Sequence, residues 1–215
     1  MFAAPPVPDL VLPASAALIA LVHTVIGVDH VVPFVALSRA RGWSLRRTLG
    51  ITAVCGLAHT GSSVLLGLGG VALGLGLDPL IGAETSRANL AAWLLIALGL
   101  AWTGWGVWRL KSVAHTHRHA AAPLAVSALV AVFIVGPCEP LVPLMMAPTV
   151  TADWTALALV TSVFSVVTVA TMVALVALAS VSLRRLTLGA FERYGDILAG
   201  GAIALTGVLM ATLPL

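Results

Sequence analysis

Charge is what this chain has least of. Of its 215 residues only 9% are Asp, Glu, Lys or Arg, against about 25% in a soluble globular domain. With 60% hydrophobic residues and a mean hydropathy of +1.09, that scarcity argues against a soluble domain and predicts an integral membrane protein. Cysteine is nearly absent too. Cys55 and Cys138 both lie in apolar stretches, which argues against a secreted disulfide framework. No Lys or Arg precedes Arg39, so the basic start of a signal peptide is missing and the first apolar stretch is expected to remain as a helix. The formal charge is +3, but the basic residues fall in short connections between apolar runs. They read as topology determinants, not as a face for nucleic acid.

Runs of about 20 apolar residues cross a bilayer as helices. Six such segments are expected, over 11–38, 48–76, 88–110, 122–148, 155–182 and 194–213. Lipid leaves backbone polar groups to be satisfied internally, and the alternating pattern of a barrel is absent. The predicted class is therefore all-α: one polytopic membrane domain over 1–215, in the inner or plasma membrane. Ten of the eleven basic residues lie in the odd-numbered connections, with Arg87 alone elsewhere, beside Asp78 and Glu84. The positive-inside rule then places both termini outside the cytoplasm. A shift of 109 positions lays Gly27-Val28-Asp29-His30 over Gly136-Pro137-Cys138-Glu139. That match predicts a 3+3 inverted-topology repeat, 11–110 and 122–213, whose first helices carry facing polar positions.

Against this background the ionisable residues stand out, because each is costly at membrane depth. Asp29 is the only charged residue between Leu10 and Ser38, and His23 and His30 flank it. Imidazole and carboxylate are ligands for Zn, Ni and Co, and a carboxylate can also fix an imidazole tautomer. On an unbroken helix His23 and His30 differ in height by about 10 Å, so a shared ion requires a break, which Gly27 and Pro33 allow. The competing reading is a structural Asp29–His30 pair. In the fourth segment Pro137, Pro140 and Pro143 cannot all sit in a regular helix. Discontinuity near Gly136 would free carbonyls beside the soft Cys138 and the hard Glu139, unless the segment is a kinked packing helix with a protonated carboxylate. Cys55 and His59 share a helix face; His59 could complete a site with His30 and Glu139, or donate to a carbonyl. Ser162, Ser165, Thr168 and Thr171 form a hydroxyl stripe suited to helix packing or to a wet cavity. His115, His117 and His119 make a weak metal-collecting loop or a solvated one.

His23 with Asp29-His30 resembles the His/Asp-His signature of nickel–cobalt permeases and of urease- and hydrogenase-accessory nickel transporters, with five intervening residues here where four are usual. Gly136-Pro137-Cys138 is similar to a segment of the cytochrome c biogenesis and thiol–disulfide transmembrane proteins. Those are six-helix inverted repeats with an essential cysteine in each half. Asp29-His30 stands where their first cysteine would be, which implies metal handling within that broad superfamily.

The expected function is transport of a divalent transition-metal cation, nickel or cobalt by resemblance and zinc by chemistry. The expected metal residues are His23, Asp29, His30, His59, Cys138 and Glu139, with Gly27, Pro33, Gly136, Pro137, Pro140 and Pro143 at helix breaks. A redox relay through Cys138 and Cys55 is the alternative, and an intramembrane metalloenzyme is less favoured because His-Glu-x-x-His is absent. No organic cofactor and no nucleic acid is expected. Partners are the metal ion, membrane lipid and a metallochaperone or metalloenzyme-maturation protein.

Overall fold

The computed structural model describes residues 10–111, 122–150, 152–184 and 189–213. The His115, His117 and His119 loop lies outside them. Among the described residues every regular element is helical. They are α1 (Val11–Ile26), a 3-10 turn (Val28–His30), α2 (Val32–Arg41), α3 (Leu45–Ala72), α4 (Leu77–Lys111), α5 (Ala122–Val135), α6 (Leu141–Thr149), α7 (Trp154–Arg184) and α8 (Gly189–Thr212). Four helices are long and apolar enough to cross a membrane: Leu45–Ala72, Leu77–Leu110, Trp154–Leu183 and Tyr194–Thr212. The pair Val11–Ile26 and Val28–Arg41, bent by 79°, would make a fifth if taken as one span.

Local chemistry explains the helix ends. Gly42, at φ 62, closes α2 in the left-handed conformation and donates its N–H back to Ser38 and Arg39. Ser44 caps α3 by accepting from the Arg47 N–H at 3.3 Å, and Asp153 caps α7 by accepting from Ala156 at 2.9 Å. Pro33 and Pro143 sit in the first turns of α2 and α6, where a missing N–H costs nothing. Pro137 and Pro140 fall in the gap between α5 and α6.

The first and fourth segments are each interrupted, at 27–31 and at 136–140. One expected helix boundary needs correction: α4 starts at Leu77, eleven residues before the expected 88, so Asp78, Glu84 and Arg87 lie on a helix and not in a loop. Glu84 and Arg87 pair one turn apart at 2.8 Å, which offsets part of the cost of placing charge in the stretch.

α4 and α8 run antiparallel with backbones in contact. A Cβ on Gly99 would overlap the Ala204 backbone N, and one on Gly200 would meet the Thr103 N at 2.5 Å. Gly207 similarly faces Ile96, and Gly106 faces Ile197. Small residues of this kind let helices approach without a side chain between them. At one end of the pair Asp196 accepts from Arg109 at 2.9 Å and lies 3.9 Å from Arg41, whose guanidinium covers Trp102. Elsewhere α1 packs on α7, α5 on α3, α2 on α8, α6 on α4, and α3 crosses α7. Two apolar clusters result. One gathers Phe34, Leu37, Trp43, Cys55, Trp102, Phe133 and Met172; the other gathers Ala16, Ala20, Cys138, Leu141, Met145 and Phe164.

Candidate metal centre

The two helix interruptions meet between those clusters. His23 comes from the last turn of α1, Asp29 and His30 from the first break, His59 from the middle of α3, and Cys138 from the second break. His23, His59 and Cys138 each place one donor atom within 4.8 Å of the others'. His59 and Cys138 are buried and His23 is partly so. His30 wedges edge-on between the other two rings, with centroids 5.1 Å from His23 and 5.2 Å from His59, while His23 and His59 lie parallel at 6.4 Å.

Proton positions follow from the neighbours. His30 Nδ1 sits 3.2 Å from the Gly27 carbonyl and 3.4 Å from Asp29 Oδ1. A carbonyl and a carboxylate only accept, so Nδ1 carries the proton and Nε2 keeps a lone pair. That lone pair faces His59 Nε2 at 3.5 Å, and the direction of the contact between the two rings follows the tautomer of His59. His59 Nδ1 and His23 Nε2 are both buried with no hydrogen-bond partner. Buried polar atoms are nearly always satisfied, and an ion is one of the recognised explanations when they are not. Gly27 makes the arrangement sterically feasible. A Cβ there would overlap His30 Nδ1 and stand 2.9 Å from Asp29 Oδ1.

Of the residues expected to form one site, the structure brings His23, His30, His59 and Cys138 together and sets Asp29 behind His30. Glu139 is exposed and lies outside the triad. It lines an open cavity of about 680 Å³ whose wall also includes His23, Asp29, His30 and Asn89. The turn after Pro137 buries Cys138 and leaves its neighbour Glu139 exposed on the cavity wall. Cys55 packs with Phe34 and Met172, whereas Cys138 belongs to the other cluster; both are free thiols.

Sequence reasoning missed Arg87. Its guanidinium donates to the carbonyls of Ile134, Val135 and Gly136 at 2.9, 3.2 and 3.1 Å, the loose end of α5. It also donates to Glu84 at 2.8 Å, Ser62 Oγ at 2.6 Å and Ser63 Oγ at 3.3 Å. Ser63 Oγ in turn accepts from the Cys138 backbone N–H at 3.0 Å. The available signal was that Arg87 alone among the basic residues stands outside the odd-numbered connections.

Fold and site together define a class: a helical chain with helices of membrane-crossing length and a buried imidazole–thiol cluster where two broken helices meet. Comparison with protein-family models, with curated proteins and with solved structures finds no match to this chain.

Proposed function

We propose that this protein is a transmembrane transporter of a divalent transition-metal cation, held by His23, His59 and Cys138 with His30 beside them. The observation that carries this reading is the triad itself: two imidazoles and a thiol, supplied by three separate elements, each with one donor atom within 4.8 Å of the others'. Two imidazoles and a thiolate suit Zn, Ni, Co or Cu better than Mg or Ca; nickel or cobalt is preferred here on the motif resemblance alone. The donor spread exceeds the edge of a tetrahedron built on bonds of about 2.0–2.3 Å, so loading draws the groups inward. The open cavity past Asp29 and Glu139 provides a negatively lined approach from one side.

A six-span, 3+3 inverted arrangement fits this role, with α1 plus α2 and α5 plus α6 each counted as one broken span. Three features support it. Both breaks are five residues long and their edges are 109 positions apart. The packing is exchanged in kind, α1 on α7 as α5 on α3, and α2 on α8 as α6 on α4. The α4–α8 glycines pair reciprocally, Gly99 with Ala204 as Gly200 with Thr103. In this reading both termini lie outside the cytoplasm, and a maturation protein or metallochaperone receives the ion within.

The test is cation flux into proteoliposomes containing a metal-sensitive dye. Wild type should carry Ni²⁺ or Co²⁺, with His59→Ala and Cys138→Ala reducing flux to background and Cys55→Ser leaving it intact. Affinity should fall as pH is lowered, because protons compete with the cation for the same donor atoms. Absence of flux for Ni²⁺, Co²⁺, Zn²⁺, Mn²⁺ and Fe²⁺ alike would overturn the reading.

A further inference from the structure

A second set of polar residues, around Arg87 and Glu84, has no part in the donor triad. Arg87 spends six hydrogen bonds on four different parts of the chain: three carbonyls at the end of α5 and just past it, two hydroxyls of α3, and Glu84 of its own helix. Glu84 is 2% exposed. A charged pair this deep is costly to assemble. Gly136 continues the α5 ladder, donating its N–H to Val132 at 2.7 Å, and is not in the left-handed conformation of a glycine cap. What the guanidinium adds is a fixed path onward, through Ser63 Oγ to the Cys138 N–H.

We infer that Arg87 is the positioning residue for Cys138: it clamps the second break so that the thiol faces His23 and His59, and thereby makes the bound cation a thiolate-ligated one. This deepens the transporter reading and rests on it for the metal, though not for the placement of the thiol. The planar fork is what the role requires. Its donors reach acceptors on several sides at once, whereas an ammonium concentrates its charge at one point. Arg87→Lys should therefore behave like Arg87→Gln and not like wild type, which separates positioning from mere charge compensation.

Two readouts on the full chain in detergent test this. The first is the absorption of Co²⁺-loaded protein. Wild type should show a thiolate-to-cobalt charge-transfer band, abolished in Cys138→Ser. In Arg87→Gln and Arg87→Lys that band should be lost while the visible ligand-field bands of histidine-bound cobalt persist. The second is maleimide labelling of Cys138 in a Cys55→Ser background without metal. The rate should rise about tenfold in both Arg87 variants, the size expected for losing a charge-assisted hydrogen bond. Ser63→Ala breaks the same path while leaving the other Arg87 bonds in place, so it answers the question if the Arg87 variants fail to fold. Labelling decides: an unchanged rate in the Arg87 variants, or in Ser63→Ala where those do not fold, overturns the inference whatever the cobalt spectra show. If wild type binds no cobalt, the transporter reading fails by itself, and faster labelling still supports the clamp.

Discussion

The two helix breaks solve one problem by opposite means. Residues 27–31 hold their own shape: His30 N–H bonds to the Gly27 carbonyl at 3.1 Å, Val31 N–H to Val28 at 3.4 Å, and the His30 ring returns to Gly27 at 3.2 Å. Residues 136–140 are held mostly from outside, by Arg87 of α4 and Ser63 of α3. The first break is thus a local property of five neighbouring residues. The second has one turn bond of its own, from the Leu141 N–H to the Cys138 carbonyl at 2.9 Å, and takes further hydrogen bonds from two distant helices. A histidine can bring its own ring to bear on the backbone beside it, while a cysteine between prolines has no such means and borrows a guanidinium.

The comparison can be broken most sharply at the supports. Arg87→Leu strands the buried Glu84 and removes the donor from three carbonyls, and should destabilise the protein by about 3–5 kcal/mol. Asp29→Asn, the corresponding loss at the self-supporting break, should cost about 1 kcal/mol, the worth of a typical hydrogen bond. Thermal unfolding in detergent orders the two, and equal losses would erase the distinction.

Next come the glycines. Gly27→Ala drives a methyl into the His30 ring, whereas at Gly136 the nearest atoms are the Val132 carbonyl at 3.2 Å and His59 Nδ1 at 3.5 Å. Overpacking of the first kind costs about 1–3 kcal/mol and should also weaken cobalt binding by displacing His30; Gly136→Ala should do less of both. Smallest is Glu139→Gln. With the carboxylate on the cavity wall and outside the triad, equilibrium cobalt affinity should change by less than about threefold, since a water-exposed charge contributes under about 1 kcal/mol. A loss as large as that of Cys138→Ala would return Glu139 to the site.

The same contrast explains what could be read from the residues beforehand. Gly27, Gly136, Pro137 and Pro140 mark backbone irregularity by their own chemistry, and the His-Asp-His spacing marks an expensive polar group. Both are local facts, so the interruptions and most of the donors were visible. Arg87 was not, because its acceptors lie 47–49 positions away and an acidic–basic stretch ahead of an apolar run looks like a loop. Glu139, exposed on the cavity wall beside the buried Cys138, marks a different limit. Adjacent residues in an irregular turn face opposite ways, and no periodicity reports which of them turns inward.

The contact between α4 and α8 carries a consequence of another sort. Where two backbones touch, the genetic code has almost no freedom: at Gly99 and Gly200 nineteen of twenty letters add at least a methyl, and each would meet main-chain atoms that cannot step aside. The residues least open to mutational drift therefore include some that bind nothing, carry no charge and lie on a different helix pair from the histidines.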